Sequence, residues 1–390
     1  MFSSRTNWPR QPNRLTVLVE ELRQSGKTFH DLTISNPTNC GIEYPSTQIL
    51  SALAQPRSLH YEPQPKGLLS AREGVASYYS QKGVYVSTSD IILTASTSEA
   101  YSMAFRLLCE PGDEVVVPVP SYPLFEFLAQ LDDVVIRSYH LRYDGEWDID
   151  MSSVDQSISA RTKAIVIVSP HNPTGMFLKK LELAHLSAVA SKGGLALIVD
   201  EVFADYAFGG DSPRVVSTAG DSDALAFTLN GISKLVGLPQ MKLGWIVVSG
   251  PKEVKNEALA RLEIVADTYL SVNTLVQVAL PALLACGTSI RRSISHRNSE
   301  NRAVLQQLIG NDSACTLLQS EGGWYAILRI PQTRTGEEWA IGLLRDACVY
   351  VHPGYYFEFE ADNVLVLSLL PEPVGFREGV EKLLGYIHDH

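Results

Sequence analysis

Four residue groups stand directly after short apolar runs that read as strands. After Ile91–Thr94 come Ala95, Ser96, Thr97 and Ser98, and then a helical pattern. Small hydroxyl residues at a helix start offer backbone N–H groups, side-chain donors and the positive dipole end, which together suit an anion. A simple serine cap is the plainer reading. After the apolar run at 164–168 comes Ser-Pro-His-Asn-Pro-Thr-Gly, a turn by composition that carries Asn172. After Leu195–Val199 come Asp200 and Glu201, either a cap or a partner for a ligand cation. After Ala224–Leu229 comes Asn-Gly-Ile-Ser-Lys, ending at Lys234. That lysine is an amine nucleophile if a crevice surrounds it and an ordinary solvated lysine otherwise. Singly, each group is weak evidence. Together they offer an anion cradle, an amide, a carboxylate and an amine at one place. Pyridoxal 5′-phosphate needs this set: a helix end for its phosphate, a lysine for its aldehyde and a carboxylate for its ring nitrogen.

The elements that would position these groups follow from the pattern between residues 65 and 250. Helical periodicity covers Leu68–Lys82, Ser98–Glu110 and Lys179–Ser191. Strand-like runs fall at Glu114–Val119, Val134–Tyr139, Ala164–Ser169 and Leu243–Val248, besides those already named. Alternation at this spacing predicts βαβ units, and continuous apolar runs predict strands buried on both faces. Ligands of open α/β sheets bind beyond the carboxyl ends of the strands, where the four groups fall. Beyond residue 250 a long helical stretch runs to about Ile309. Short strands (Trp324–Ile330, Val364–Leu369), a helix at Glu337–Ala347 and a C-terminal helix follow. That reads as a smaller α+β domain. The first forty residues are expected to pack with it or to reach a partner subunit.

Composition bounds the rest. The 390 residues are 45% hydrophobic and 19% charged, ordinary for a folded chain with a sizeable core. A net charge of −11 argues against a nucleic-acid footprint. The N-terminal residues lack the apolar core of a secretory signal, and no stretch approaches 18 uninterrupted apolar residues, so no membrane role is expected. Five scattered cysteines without a CxxC pair suggest neither disulfides nor a metal site, and fit a cytoplasmic location.

With these residues in place, the sequence resembles the class I/II aminotransferases of pyridoxal-phosphate fold type I, aspartate aminotransferase-like, over about residues 30 to 385. The most specific pieces are HNPTG at 171–175, VDE at 199–201, and Ser233-Lys234 followed by MKLGW at 241–245. Asn172, Asp200 and Lys234 follow one another at 28 and 34 residues, as in that family. The resemblance implies an α/β fold with a large domain built on a mainly parallel seven-stranded sheet flanked by helices, and a smaller α+β domain. The division it implies is an N-terminal arm with part of the small domain (1–45), a large cofactor-binding domain (46–275) and a small C-terminal domain (276–390). It implies a Lys234 Schiff base with the cofactor, Asp200 paired with the pyridinium, and Asn172 donating to the ring hydroxyl. Tyr122 takes the place of the stacking aromatic. Ser96, Thr97, Ser98 and Ser233 contact the phosphate, and Lys242 holds the family's basic phosphate position. Tyr61 matches a tyrosine that crosses a homodimer interface to the partner's phosphate. The segment VHPGYYF at 351–357 resembles one that lies near the substrate.

Three positions depart from the family. Phe203 stands where a tyrosine usually donates to the cofactor's ring oxygen, so a raised imine pKa is expected. Gly231 replaces a phosphate-binding serine. Val366 stands where the substrate-carboxylate arginine belongs, and no arginine lies between Asp346 and Phe376. A bidentate clamp has no apolar substitute, so another cation is required; Arg329, Arg10 and Arg14 are candidates. The leading reading is an aminotransferase moving an amino group between an amino acid and a 2-oxo acid. Other pyridoxal-phosphate chemistry (β-elimination at a C–S bond, racemisation, decarboxylation) uses the same scaffold, since fold does not fix the reaction. A non-catalytic regulator that binds the cofactor is the remote alternative, disfavoured because the pattern begins near residue 30 and leaves no room for a DNA-binding domain.

Overall fold

In a computed structural model of the chain, residues 1–209, 213–310 and 314–390 are described. The large sheet contains β1 (Ile91–Thr94), β2 (Glu114–Val119), β3 (Val135–Tyr143), β4 (Trp147–Ile149), β5 (Thr162–Val168), β6 (Ala196–Asp200), β7 (Ala226–Gly231) and β8 (Gly244–Ser249). Their spatial order is β1-β8-β7-β6-β5-β2-β3-β4. Strands β7, β6, β5, β2 and β3 are mutually parallel, while β8 is antiparallel to both β7 and β1, and β4 to β3. The sheet is thus mainly parallel, with eight strands where seven were expected. The eighth arises because Asp144-Gly145-Glu146 turns the chain back, with Gly145 at φ 79°, so that Trp147 pairs with Tyr143. Strand β8 runs antiparallel to β7, and the twelve residues 232–243 join them through the one-turn helix Ile232–Leu235. That short link carries Lys234 and keeps it at the strand ends.

Both faces of the sheet are covered, as the apolar runs required. Ile165, Ile167, Leu197 and Val199 point into one core and Ala164, Val166, Ala196 and Ile198 into another, the alternation a strand imposes. Register carries the chemistry: Val168 lies beside Asp200, and Asp200 beside Leu229. Strands β5, β6 and β7 therefore end side by side.

A second sheet holds β9 (Thr316–Leu317), β10 (Tyr325–Arg329), β11 (His352–Pro353) and β12 (Val364–Ser368), antiparallel in the order β9-β10-β12-β11. Tyr325, Ile327, Val364 and Val366 join the core shared with the large sheet; Ala326, Leu328, Leu365 and Leu367 face the other way. Residues of the first forty do pack here. His30–Asp31 pairs in parallel with Val349–Tyr350, and the Arg14–Gln24 helix lies on the Gly336–Asp346 helix. The Thr274–Leu308 helix is long and apolar enough to cross a membrane by length and composition. Its Leu280, Leu283, Ile290 and Ile294 are instead spent on the shared core.

Candidate active site

A cavity of about 280 Å³ opens at the ends of β5, β6 and β7. It brings together Thr97, Ser98, Tyr122, Asn172, Asp200, Phe203 and Lys234 from the residues singled out in the sequence, and adds Ser35, Tyr101, Ser121 and Tyr325.

The anion end is the start of the Thr97–Leu108 helix. Ser96 caps it by accepting from Glu99 N (3.1 Å), and the Glu99 carboxylate accepts from Ala95 N (2.6 Å). The cap leaves the first-turn residues Thr97 and Ser98 at the cavity wall, where helical N–H groups have no intrahelical partner.

Asp200 ends β6. Its carboxylate accepts from Val202 N (3.0 Å) and from the Tyr101 hydroxyl (3.2 Å). Burial raises its pKa to about 6, against the pull of those two donors and of Lys234. A carboxylate so placed lacks a full counter-charge, and a protonated ring nitrogen would supply one.

Lys234 lies in the one-turn helix Ile232–Leu235. Its Nζ is 5.0 Å from the centre of the Trp324 ring and 5.6 Å from that of Phe203, which pack edge to face on each other. Burial lowers its pKa and Asp200 opposes that shift. Its carbonyl accepts from the Tyr206 hydroxyl at 2.6 Å. A lysine in this setting gives up its proton more readily than a solvated one, as an amine nucleophile must.

Asn172 sits in a turn closed by Gly175 N donating to His171 O (2.7 Å) and His171 N donating to Met176 O (2.7 Å). Its side-chain oxygen is buried without a partner. Buried polar atoms are nearly always paired, so this amide awaits one. An amine, an under-neutralised carboxylate, an unpartnered amide and a helix N-terminus match the four groups of pyridoxal 5′-phosphate, and the residues present fit it.

Other expected residues do not line the cavity. Ser96 spends its oxygen on the cap, Ser233 lies outside the wall, and Lys242 is exposed. Tyr61 is 77% exposed, beside a separate hollow with Leu270 and Gln277. Gly231 approaches β8 so closely that a Cβ would lie 2.9 Å from Leu243 O, which accounts for the missing serine. Val366 is fully buried in the shared core. None of the three candidate arginines reaches the cavity. Arg329 lies over the Tyr143 ring, Arg14 pairs with Glu337, and Arg10 borders a surface hollow with Phe2 and Asn7.

Tyr101 could have been found from sequence, since it lies four residues after Thr97 and so on the same helix face. Ser35, Ser121 and Tyr325 carry no such signal. They meet only through the fold.

The sequence pattern described as aminotransferase class I and II matches residues 28–369. The glutamate-pyruvate aminotransferase AlaA of Haemophilus influenzae is 28% identical over 376 residues, covering 95% of this chain and 93% of its own. The human tyrosine aminotransferase is 25% identical over 393 residues, covering 97% and 86%. Among solved structures, the alanine aminotransferase of Pyrococcus furiosus superposes with a TM-score of 0.88 at 22% identity, covering all of both chains. An Escherichia coli aminotransferase gives 0.86 at 24%, covering 100% and 98%. These two show the same fold.

Proposed function

The chain belongs to the class I and II aminotransferase family and is a pyridoxal-5′-phosphate-dependent aminotransferase; from that premise we propose that Lys234 holds the cofactor and moves the proton of the substrate's α-carbon. The observation that carries this is the meeting of Lys234, Asp200 and Asn172 in one cavity at in-register strand ends.

When bound, the cofactor supplies an aldehyde carbon that takes the amine and a protonated ring that draws electrons from the substrate's α-carbon. The remaining work falls to the protein. Thr97, Ser98 and the helix N-terminus bind the phosphate. Asp200 holds the proton on the ring nitrogen, and Tyr101 and Val202 N fix the carboxylate that does so. The Asn172 amide orients the ring hydroxyl. Tyr122, half-exposed at the mouth, covers the ring. Lys234 Nζ would take the proton from the substrate's α-carbon and deliver it to the carbon that was the cofactor's aldehyde, and its lowered proton affinity keeps the amine free to do so. Ser96, Ser233, Lys242 and Tyr61 are assigned to phosphate contacts completed on binding and on pairing with a second copy of the chain in a cytoplasmic homodimer.

For the substrate we propose alanine and pyruvate as one amino acid and 2-oxo acid pair. Relatives named for glutamate-pyruvate and alanine transfer support it. So does the cavity: about 280 Å³ must hold cofactor and substrate together, at the small end of the ~300–1,000 Å³ usual for ligand pockets. The test is to add L-alanine, L-glutamate or L-tyrosine to purified holoenzyme and follow the cofactor's absorbance. Conversion to its amine form without ammonia or CO₂, fastest with alanine, supports the proposal. Ammonia release with the cofactor unchanged would overturn it in favour of elimination.

A further inference from the structure

Three residues that line the cavity, Ser35, Ser121 and Tyr325, carry hydroxyl groups. Ser121 is 1% exposed, lines the cavity, and its Oγ has no hydrogen-bond partner among the described residues. Tyr325 is also buried and lines the cavity, and so does the half-buried Ser35. Residues 121 and 325 are joined through Phe357. Its carbonyl accepts from Ser121 N at 2.8 Å, and its ring packs on Tyr325 with centres 5.9 Å apart. Phe357 thus braces two of the three hydroxyl residues, and Ser121 is held with its Oγ unused. Among the described residues lining the cavity, the charged groups are Asp200 and Lys234 alone, and both are committed to the cofactor. Arg297, the arginine tied to the segment just after Ser35, gives its guanidinium to the carbonyls of Cys40, Leu370 and Pro371.

We propose that Ser121, Tyr325 and Ser35 form a neutral anchor for the carboxyl end of the amino substrate, so that the enzyme accepts uncharged carboxyl derivatives, primary amides above all, about as well as the acids. This rests on the aminotransferase reading of the same site and names the substrate class that reading leaves open. A guanidinium clamp stabilises a carboxylate by charge and by two parallel hydrogen bonds, and a neutral isostere loses both. Hydroxyl donors bond the carbonyl oxygen of an amide and of a carboxylate alike. They leave the carboxylate's desolvation without a counter-charge, so the acid gains little over the amide. The unused Ser121 Oγ is the donor in waiting, and Tyr325, kept neutral by burial, is the second.

The test compares donors that differ only in the carboxyl group, with L-alanine and L-alaninamide first, on holoenzyme and on Ser121→Ala and Tyr325→Phe. Removing an unpartnered hydroxyl leaves the Ser121→Ala fold intact, and Tyr325→Phe keeps the ring on Phe357. The expected result is kcat/KM for acid and amide within about tenfold of each other. Each variant should raise KM roughly five- to tenfold for both donors, with the loss falling on KM more than on kcat. Binding is read independently by calorimetric titration with 2-methylalanine and its amide, which have no α-hydrogen and are not turned over by transamination. Their affinities should match within the same factor. An acid preferred by more than about a thousandfold, or variants that leave KM and binding unchanged, overturns the anchor while leaving the aminotransferase reading intact. If neither acid nor amide changes the cofactor's absorbance and neither analogue binds, both fail together.

Discussion

The two walls of the cavity are made in different ways. The cofactor wall is local: each group lies within a few residues of the end of a strand, and Asp200 and Lys234 give it an interacting pair of ionisable groups. The hydroxyl wall is assembled from residues 35, 121 and 325, far apart in the chain, and its donors are neutral. The first wall is fixed by sheet register and the second by the docking of one sheet against another. Chemistry common to a family can reside on the first while specificity drifts on the second. Substitutions should separate the two, and the largest effects should fall on the ionisable wall.

Lys234→Ala should reduce transamination on the order of 10⁴-fold or more, as loss of a covalent nucleophile does. Desalted protein should also lose the cofactor's visible absorbance. Retention of full activity would remove the basis for the whole site. Asp200→Asn should lower kcat on the order of 10²–10⁴-fold, because the ring proton loses its partner. The same change should stabilise the cofactor-free protein. Burial raises the carboxyl pKa from 3.8 to about 6 on folding, so the native state binds the proton more tightly than the unfolded one. That costs nothing well below the unfolded value of 3.8, where both states are protonated. The penalty grows as pH rises toward 6 and reaches its full value above it. A rise of that size corresponds to roughly 3 kcal/mol. Melting curves of cofactor-free wild type and variant should therefore converge as pH falls below the unfolded value of 3.8 and diverge in the variant's favour at pH 7.

Much of the cofactor wall is legible in the sequence because strand, turn and functional residue are contiguous there. Asn172, Asp200 and Lys234 can be placed from apolar runs and the residues that follow them, and Thr97 and Ser98 from a helix start. Legibility ends where tertiary docking decides. Nothing near Ser121 says that Phe357 will link it to Tyr325. The reversal of β8 is visible only in the pairing of the strands. The place of Val366 inside the core, and the distance of Arg10, Arg14 and Arg329 from the cavity, depend on how the smaller sheet lies on the larger.

That docking rests on a close backbone approach. Gly322, N-terminal to β10, forms a bridge with Ala207, and Gly323 N donates to Tyr206 O at 2.8 Å. A Cβ on Gly322 would lie 2.4 Å from Tyr206 O and 2.8 Å from the Phe177 ring. Gly322→Ala should therefore cost about 1–3 kcal/mol, the usual range for overpacking, read as a lower midpoint in urea. It should shift KM for the amino donor, since it moves Trp324 and Tyr325. An unchanged midpoint would mean that the two sheets are free to slide.

The smallest expected effect is also the sharpest test of the separation. Tyr206 touches both walls: its carbonyl accepts from Gly323 N, its ring packs on Trp324 with centres 5.1 Å apart, and its hydroxyl donates to Lys234 O at 2.6 Å. Tyr206→Phe keeps the first two contacts and deletes the third. The Lys234 carbonyl retains Gly237 N at 3.2 Å, so no buried acceptor is stranded and the cost should stay near ~1 kcal/mol. Because the lost bond fixes the backbone under Lys234, the effect should appear in kcat, as a drop of about two- to tenfold, with KM for the amino donor unchanged. The opposite pattern, KM raised and kcat kept, would show that the lysine and the hydroxyl wall respond as one unit. The division of labour between the two walls would then be false.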